Sequence, residues 1–184
     1  MKSQRAVLVL LLAAALVASS CNSRAERTDG TVLLEVSSLG TVPVSLSLSQ
    51  AASQSGSFQL PLVTLVNVLK DPAGVGSSFQ DIELRTYQVT YRRRDTGTRV
   101  PPSITGQISG TVPAGGTGTL TNLPFFTNNQ LLSVPLSDLT NFGKDTETGS
   151  AVIVLDVSYQ FFGRTVSGDD VASQVSSFTL EVLP

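Results

Sequence analysis

The chain has 184 residues, 41% of them hydrophobic and 14% charged, with a formal net charge of −2. It contains no His, no Trp and a single Cys, which excludes His-dependent triads, proton shuttles and His-ligated zinc, and any intrachain disulfide framework. Aromatic residues make up only 6%, so Val, Leu and Ile are expected to fill the core, and fifteen Gly with nine Pro predict strands and turns over long helices.

Lys2 and Arg5 precede an unbroken apolar stretch from Ala6 to Ala18, followed by Ser19, Ser20 and Cys21. A basic start, a short apolar run and small residues at its end predict a signal peptide over residues 1–20. The run is shorter than the roughly 20 apolar residues of a membrane-spanning helix. Residues 21–184 remain, enough for one domain with a sizeable core.

Val17-Ala18-Ser19-Ser20-Cys21 resembles the lipobox of bacterial lipoproteins, with Ala18 where that family usually has Leu. The resemblance implies that Cys21 is the lipid attachment residue, thioether-linked to diacylglycerol, and becomes the mature N-terminus. The membrane would then be a partner through the covalent lipid on Cys21. Asn22, where an Asp would retain an enteric lipoprotein in the inner membrane, implies the outer membrane, or the outer face in a single-membrane organism. Several acyl chains, at about 0.8 kcal/mol per buried CH₂, suffice for stable anchoring. Ordinary secretory cleavage, which Ala18 and Ser20 also suit, would instead leave Cys21 as a bare thiol.

Residues 21–30 (CNSRAERTDG) have almost no apolar content and read as a flexible tether. From Thr31 the pattern is that of strands. Val32, Leu34 and Val36 alternate with their neighbours up to Gly40. Val42, Val44, Leu46 and Leu48 alternate with Pro43, Ser45, Ser47 and Ser49 in a second run, whose Pro43 suits a strand start or an edge. Residues 51–57 are small and polar, a loop. Phe58 to Lys70 is apolar and β-branched, and Pro61 with Asp71-Pro72 favours an extended reading over a helix. In Phe79 to Arg93, Ile82 and Leu84 keep one phase while Tyr87, Val89 and Tyr91 keep the other. That switch predicts a β-bulge near Arg85-Thr86 or a change of packing partner.

Ile104 to Val112 and Thr117 to Leu123 flank Pro113-Ala114-Gly115-Gly116 and read as a hairpin. Residues 124–149 are irregular, and leucines 131, 132, 136 and 139 suggest a short helical turn limited by Pro135. Ala151 to Phe162 is the strongest strand, placed centrally. Gly168-Asp169-Asp170 turns the chain into a last strand in which Phe178, Leu180 and Val182 share a face. The expected fold is all-β: an antiparallel two-sheet immunoglobulin-like sandwich of seven to nine strands over residues 31–184. The arrangement resembles that of small bacterial lipoproteins in which a strand ends in an aromatic-Gly-Arg turn, here Phe162-Gly163-Arg164, before a final hairpin. That resemblance implies no activity.

Motifs for chemistry are sparse. Gly143-Lys144 lacks the remaining residues of a phosphate loop, with Asp138 and Asp145 where Gly and Ser or Thr should stand. Asp145, Glu147 and Asp156 echo a calcium loop, but Ser150 replaces its glycine, so a solvated turn is expected. Asp169-Asp170 reads as a turn made by side-chain hydrogen bonds, with calcium as the alternative. In Arg92-Arg93-Arg94 strand alternation points two side chains one way and one the other; the run reads as a solubilising, edge-protecting strand terminus, with anionic glycan or lipopolysaccharide contact second. Tyr87, Tyr91 and Tyr159 fall in phase with apolar neighbours and are expected in the core.

No residue is singled out as catalytic, cofactor-binding or metal-ligating, and nucleic acid is no expected partner for an exported chain with a pI near 5.0 and so little positive charge. The expectation is a non-enzymatic, lipid-anchored envelope scaffold or binding module, with an envelope protein or glycan as partner. The alternatives are a carbohydrate- or calcium-dependent adhesion domain and a glycoside hydrolase with a carboxylate pair.

Overall fold

The computed structural model describes residues 30–49 and 58–184. The expected signal peptide over 1–20, Cys21, the expected tether up to Asp29 and the loop expected at 51–57 lie outside the described residues. Nine strands are described: β1 Val32–Ser38, β2 Ser45–Ser47, β3 Phe58–Leu69, β4 Ile82–Arg93, β5 Ile104–Val112, β6 Thr117–Phe126, β7 Ile153–Thr165, β8 Asp170–Ala172 and β9 Ser176–Leu183. Two short helices, α1 Asn128–Leu131 and α2 Leu136–Phe142, separate β6 from β7.

The strands form a three-stranded sheet in the order β1-β3-β6 and a six-stranded sheet in the order β2-β9-β7-β4-β5, with β8 paired to β7. The two pack as an all-β sandwich. All strand pairs are antiparallel except β2 with β9. Sequence neighbours β1 and β2 lie in different sheets, and β9-β7-β4-β5 follows the G-F-C-C′ order of an immunoglobulin-like sheet.

β7 runs between β4 and β9, as the sequence predicts. Ile153, Leu155, Val157, Tyr159 and Phe161 are all closed to solvent, while Asp156, Ser158 and Gln160 on the other face are half-buried. The phase change in β4 is a bulge: its pairing to both β5 and β7 shifts register between Leu84 and Thr86. An aromatic line runs through the aliphatic core, and seven of the eleven aromatic residues are buried. Tyr87 stacks near Tyr159, Tyr91 near Phe126, and Phe125 meets Phe178 edge-on. So scarcity overall does not mean scarcity inside. β6 is an edge strand, and two buried hydroxyls from the opposite sheet satisfy its carbonyls: Tyr91 donates to Phe125 at 2.5 Å and Tyr159 to Pro124 at 3.0 Å.

Four local expectations need correction. The second alternating run is a strand only at Ser45–Ser47, where it joins the sheet edge beside β9; Pro43 has no N–H to donate and Val44 is exposed. The segments flanking Pro113–Gly116 are not a hairpin, because β5 pairs with β4 and β6 with β3. The turn, closed by Gly116 N–H to Pro113 O with Gly115 at φ +68, carries the chain from one sheet to the other. A turn signal fixes the reversal but not the sheet that the next strand joins. Phe162-Gly163-Arg164 lies inside β7, which continues to Thr165, so the reversal comes later, at Val166–Asp169. The single helical turn is two helices parted at Pro135.

Candidate functional site

The richest cluster of charged groups lies where β4 ends. Arg93 is in phase with Tyr87, Val89 and Tyr91 and therefore points inward, with only 2% of its side chain exposed. Its guanidinium grips Asp95 in a fork, Nε to Oδ1 at 2.6 Å and Nη2 to Oδ2 at 2.9 Å. Nη2 also donates to Asp145 Oδ2 at 3.0 Å, and Nη1 to the Arg99 carbonyl at 3.2 Å. Gly97 lies over the guanidinium so closely that a Cβ there would stand 2.4 Å from Cζ. Asp95 also receives the N–H groups of Gly97 and Val154, which ties this corner to the start of β7.

Asp145, in the α2–β7 connection, is closed to solvent and accepts from Thr148, the Glu147 N–H and Arg99. Arg99 is the partly exposed member. It reaches Asp138, Asp145 and Glu147 at 3.4 to 3.5 Å and donates to Thr146 Oγ1. Glu147 caps the β4–β5 connection by accepting the N–H groups of Thr98 and Arg99 and the Thr98 hydroxyl. Thr146 donates to Asp138 of α2.

The electrostatics follow from this geometry. Burial alone would raise Asp145 and Asp95, but hydrogen bonds from Thr148 and Arg93 to the first, and from Arg93, Val154 and Gly97 to the second, hold both below the usual carboxylate range. Thr98 and Arg99 hold Glu147 at about 2. Burial pulls the Arg93 guanidinium down, yet its bonds to Asp95 and Asp145 outweigh this and raise it. All these groups therefore keep fixed charges near neutral pH, where proton transfer needs a group titrating close to the working pH. What the cluster does is brace two long connections against the sandwich.

The sequence reading of this region is corrected twice. Only Arg92 and Arg94 make an exposed terminus, sharing Asp156 on the outer sheet face; Arg93 is buried. Asp145 and Glu147 form no solvated turn but the anchor for Arg93 and the cap for Thr98-Arg99. The inward phase of Arg93 was a usable signal. Its partner Asp145 stands in a segment without periodicity and gave none.

Elsewhere the expected placements hold. The three tyrosines are core residues, and desolvation raises the pKa of each. The Asp169-Asp170 turn is closed by its own groups: Asp169 N–H binds Thr165 Oγ1, Ser167 binds Asp169 Oδ2, and Arg164 stands 3.6 Å from Asp170. Gly143 is the left-handed residue that ends α2. Among the described residues no group of three His, Cys, Asp or Glu side chains is placed to hold a metal ion. At the opposite end of the sandwich a half-open cleft of about 310 Å³ is lined by Thr31, Leu69, Lys70, Asp71, Val75 and Gln80, among others. Comparison with protein-family models, curated proteins and solved structures finds no match for this chain.

Proposed function

We propose that this protein is an exported lipoprotein, anchored through lipid on Cys21, whose sandwich is a non-enzymatic scaffold or binding module of the bacterial cell envelope. The observation that carries the module reading is the Arg93–Asp145–Asp95 cluster. Its carboxylates are engaged by arginine, threonine or backbone donors, and this bracing fixes the 94–103 and 143–152 connections around α1 and α2. Such a rigid end suits recognition, since ordering costs are met in advance. The sequence supports the address: the sole Cys follows the apolar run after the small pair Ser19-Ser20, and Asn22 fits the outer-membrane class, or the outer face of a single membrane. The partner would be an envelope protein or glycan.

Labelled fatty acid tests the anchor. It is expected to enter the wild-type chain and not Cys21→Ser. Label in neither protein would make Cys21 a bare thiol and end the lipoprotein reading.

A further inference from the structure

At the end of the sandwich away from the arginine cluster, β1, β4 and β6 begin and β3, β5 and β7 end, as the pairs Val32–Leu69, Ile82–Val112 and Ile82–Thr165 require. Three apolar side chains project from this end into solvent: Val75 is 93% exposed, Phe79 67% and Val166 49%. They stand on braced backbone. Phe79 sits in a 3-10 turn, Ser78–Gln80, capped by Ser77 and Gln80. Its carbonyl accepts the Ser167 N–H at 2.9 Å, and the Asp81 carbonyl accepts the Val166 N–H at 3.0 Å, which locks the two loops side by side. Gly76, beside Val75, packs on Ala114 of the third loop.

The polar groups around these side chains are turned to internal partners. Asp71 binds the Ala73 N–H, Asp81 the Ala114 N–H and Asp169 the Ser167 hydroxyl, and Asp170 pairs with Arg164. The chain from Cys21 enters the fold at this same end, where the Lys70 N–H donates to the Thr31 carbonyl and the cleft lies between Thr31 and Val75. Cys21 is nine residues from Gly30, so at roughly 3.3–3.6 Å per residue even a fully extended connection keeps this end within about 30 Å of its anchor.

We propose that this end is a membrane-docking face, on which Val75, Phe79 and Val166 enter the lipid surface that holds Cys21. The proposal rests on the lipid-anchor reading. A tether that short keeps the bilayer at high effective concentration, so a small apolar tip suffices to orient the domain, although it would not hold it there unaided. Among the other exposed apolar side chains, Leu132 and Phe142, which end α1 and α2, then face away from the membrane. The lipid need not be anionic: Asp71, Asp81, Asp169 and Asp170 outnumber Lys70 and Arg164 at this end. Docking is therefore expected on zwitterionic phosphatidylethanolamine–phosphatidylcholine vesicles, with no gain from added phosphatidylglycerol.

The test uses the full-length lipidated protein in such vesicles, with an environment-sensitive fluorophore on Phe79→Cys or, as the control, on Leu132→Cys. Both positions are exposed, so folding tolerates the label. Fatty-acid incorporation is checked in each sample. The expected result is blue-shifted emission, quenched by doxyl lipid, at position 79 and not at 132. Lipidated protein with an aqueous signal at 79 overturns docking and leaves the anchor standing. Unlipidated protein overturns both. A signal at 79 that shifts only when envelope protein is added assigns the face to a protein partner and also overturns the proposal.

Discussion

Arg93 Nη2 and Asp145 Oδ2 meet at 3.0 Å across 52 residues of sequence, with side chains 2% and 0% exposed. A buried pair is costly to form, but more costly to break, because the survivor is left charged and without its partner. Asp145→Asn is expected to destabilise the domain by about 1.5–3 kcal/mol, the range for a hydrogen bond to a charged group, because Arg93 keeps its fork to Asp95. Arg93→Met should cost a similar amount, and the double variant less than the sum. Urea denaturation reads all three. A loss under about 0.5 kcal/mol for either single variant, the range of ordinary surface changes, would contradict the bracing role.

The same cluster sets the response to acid. Asp95, Asp145 and Glu147 titrate lower in the folded chain than the ordinary carboxylate value of about 4. As pH falls, the unfolded chain takes up protons first, so their stabilisation is full above about pH 5 and lost progressively toward pH 2. With no His in the chain, no side chain of ordinary pKa titrates between about pH 5 and 8, and stability should be flat there. Melting temperatures across this range are expected to show a plateau and an acid limb. The limb should be shallower in Asp145→Asn and Glu147→Gln; an unchanged slope in both would refute the assignment.

The bulge in β4 makes a separate prediction at Gly163, which pairs with Leu84. A Cβ on Gly163 would stand 2.6 Å from the Glu83 carbonyl oxygen and 2.9 Å from Ile82 Cγ2. The first contact is backbone and cannot swing aside. Gly163→Ala is expected to cost about 1–3 kcal/mol, as overpacking does. Gly110→Ala, whose Cβ would meet nothing nearer than 3.8 Å, should be close to neutral. Equal effects from the two would mean that strand propensity, not the close approach, governs both.

The legible parts of this fold were the ones with a period. Ile82-Leu84 against Tyr87-Val89-Tyr91 marked the bulge, because a slip of one residue turns side chains to the other face. Ile153 to Phe161 marked an inward face, and Val152 and Val154 on the other face, both half-buried, marked a central strand. Pro113–Gly116 marked a reversal but not its destination, since pairing partners are chosen by contacts distant in sequence. Arg93 was obscured by its neighbours: three arginines in a row suggest solvent, although alternation sends the middle one inward. Asp145 was not legible at all, because its burial depends on Arg93 and Arg99, from another connection.

Leu155 tests the central placement of β7. It is closed to solvent and stands between Arg93 on β4 and Leu180 on β9. Leu155→Ala should cost about 2–5 kcal/mol through lost burial and the cavity left behind. Leu33→Ala, on the outward face of β1, should stay within about 0.5 kcal/mol. Equal, small losses would place β7 at an edge.

The Asp169-Asp170 turn is expected to bind no calcium. Calcium takes about 6–8 oxygen ligands, and adjacent acids in one turn need further oxygens from elsewhere. Here the surrounding donors are committed. The Asp169 carbonyl accepts the Thr165 N–H at 2.8 Å, the Gly168 carbonyl accepts Arg164 Nε at 2.7 Å, and the same guanidinium stands beside Asp170. An arriving cation would have to displace Arg164 against its own charge. Asp95, Asp138, Asp145 and Glu147 belong to the opposite end and cannot complete a shell. A ligand that binds only the folded chain raises its melting temperature by mass action. The melting temperature should therefore be the same in millimolar calcium and in chelator. A rise of several degrees in calcium, lost in Asp169→Asn with Asp170→Asn, would reverse this prediction and favour a calcium-dependent adhesion domain.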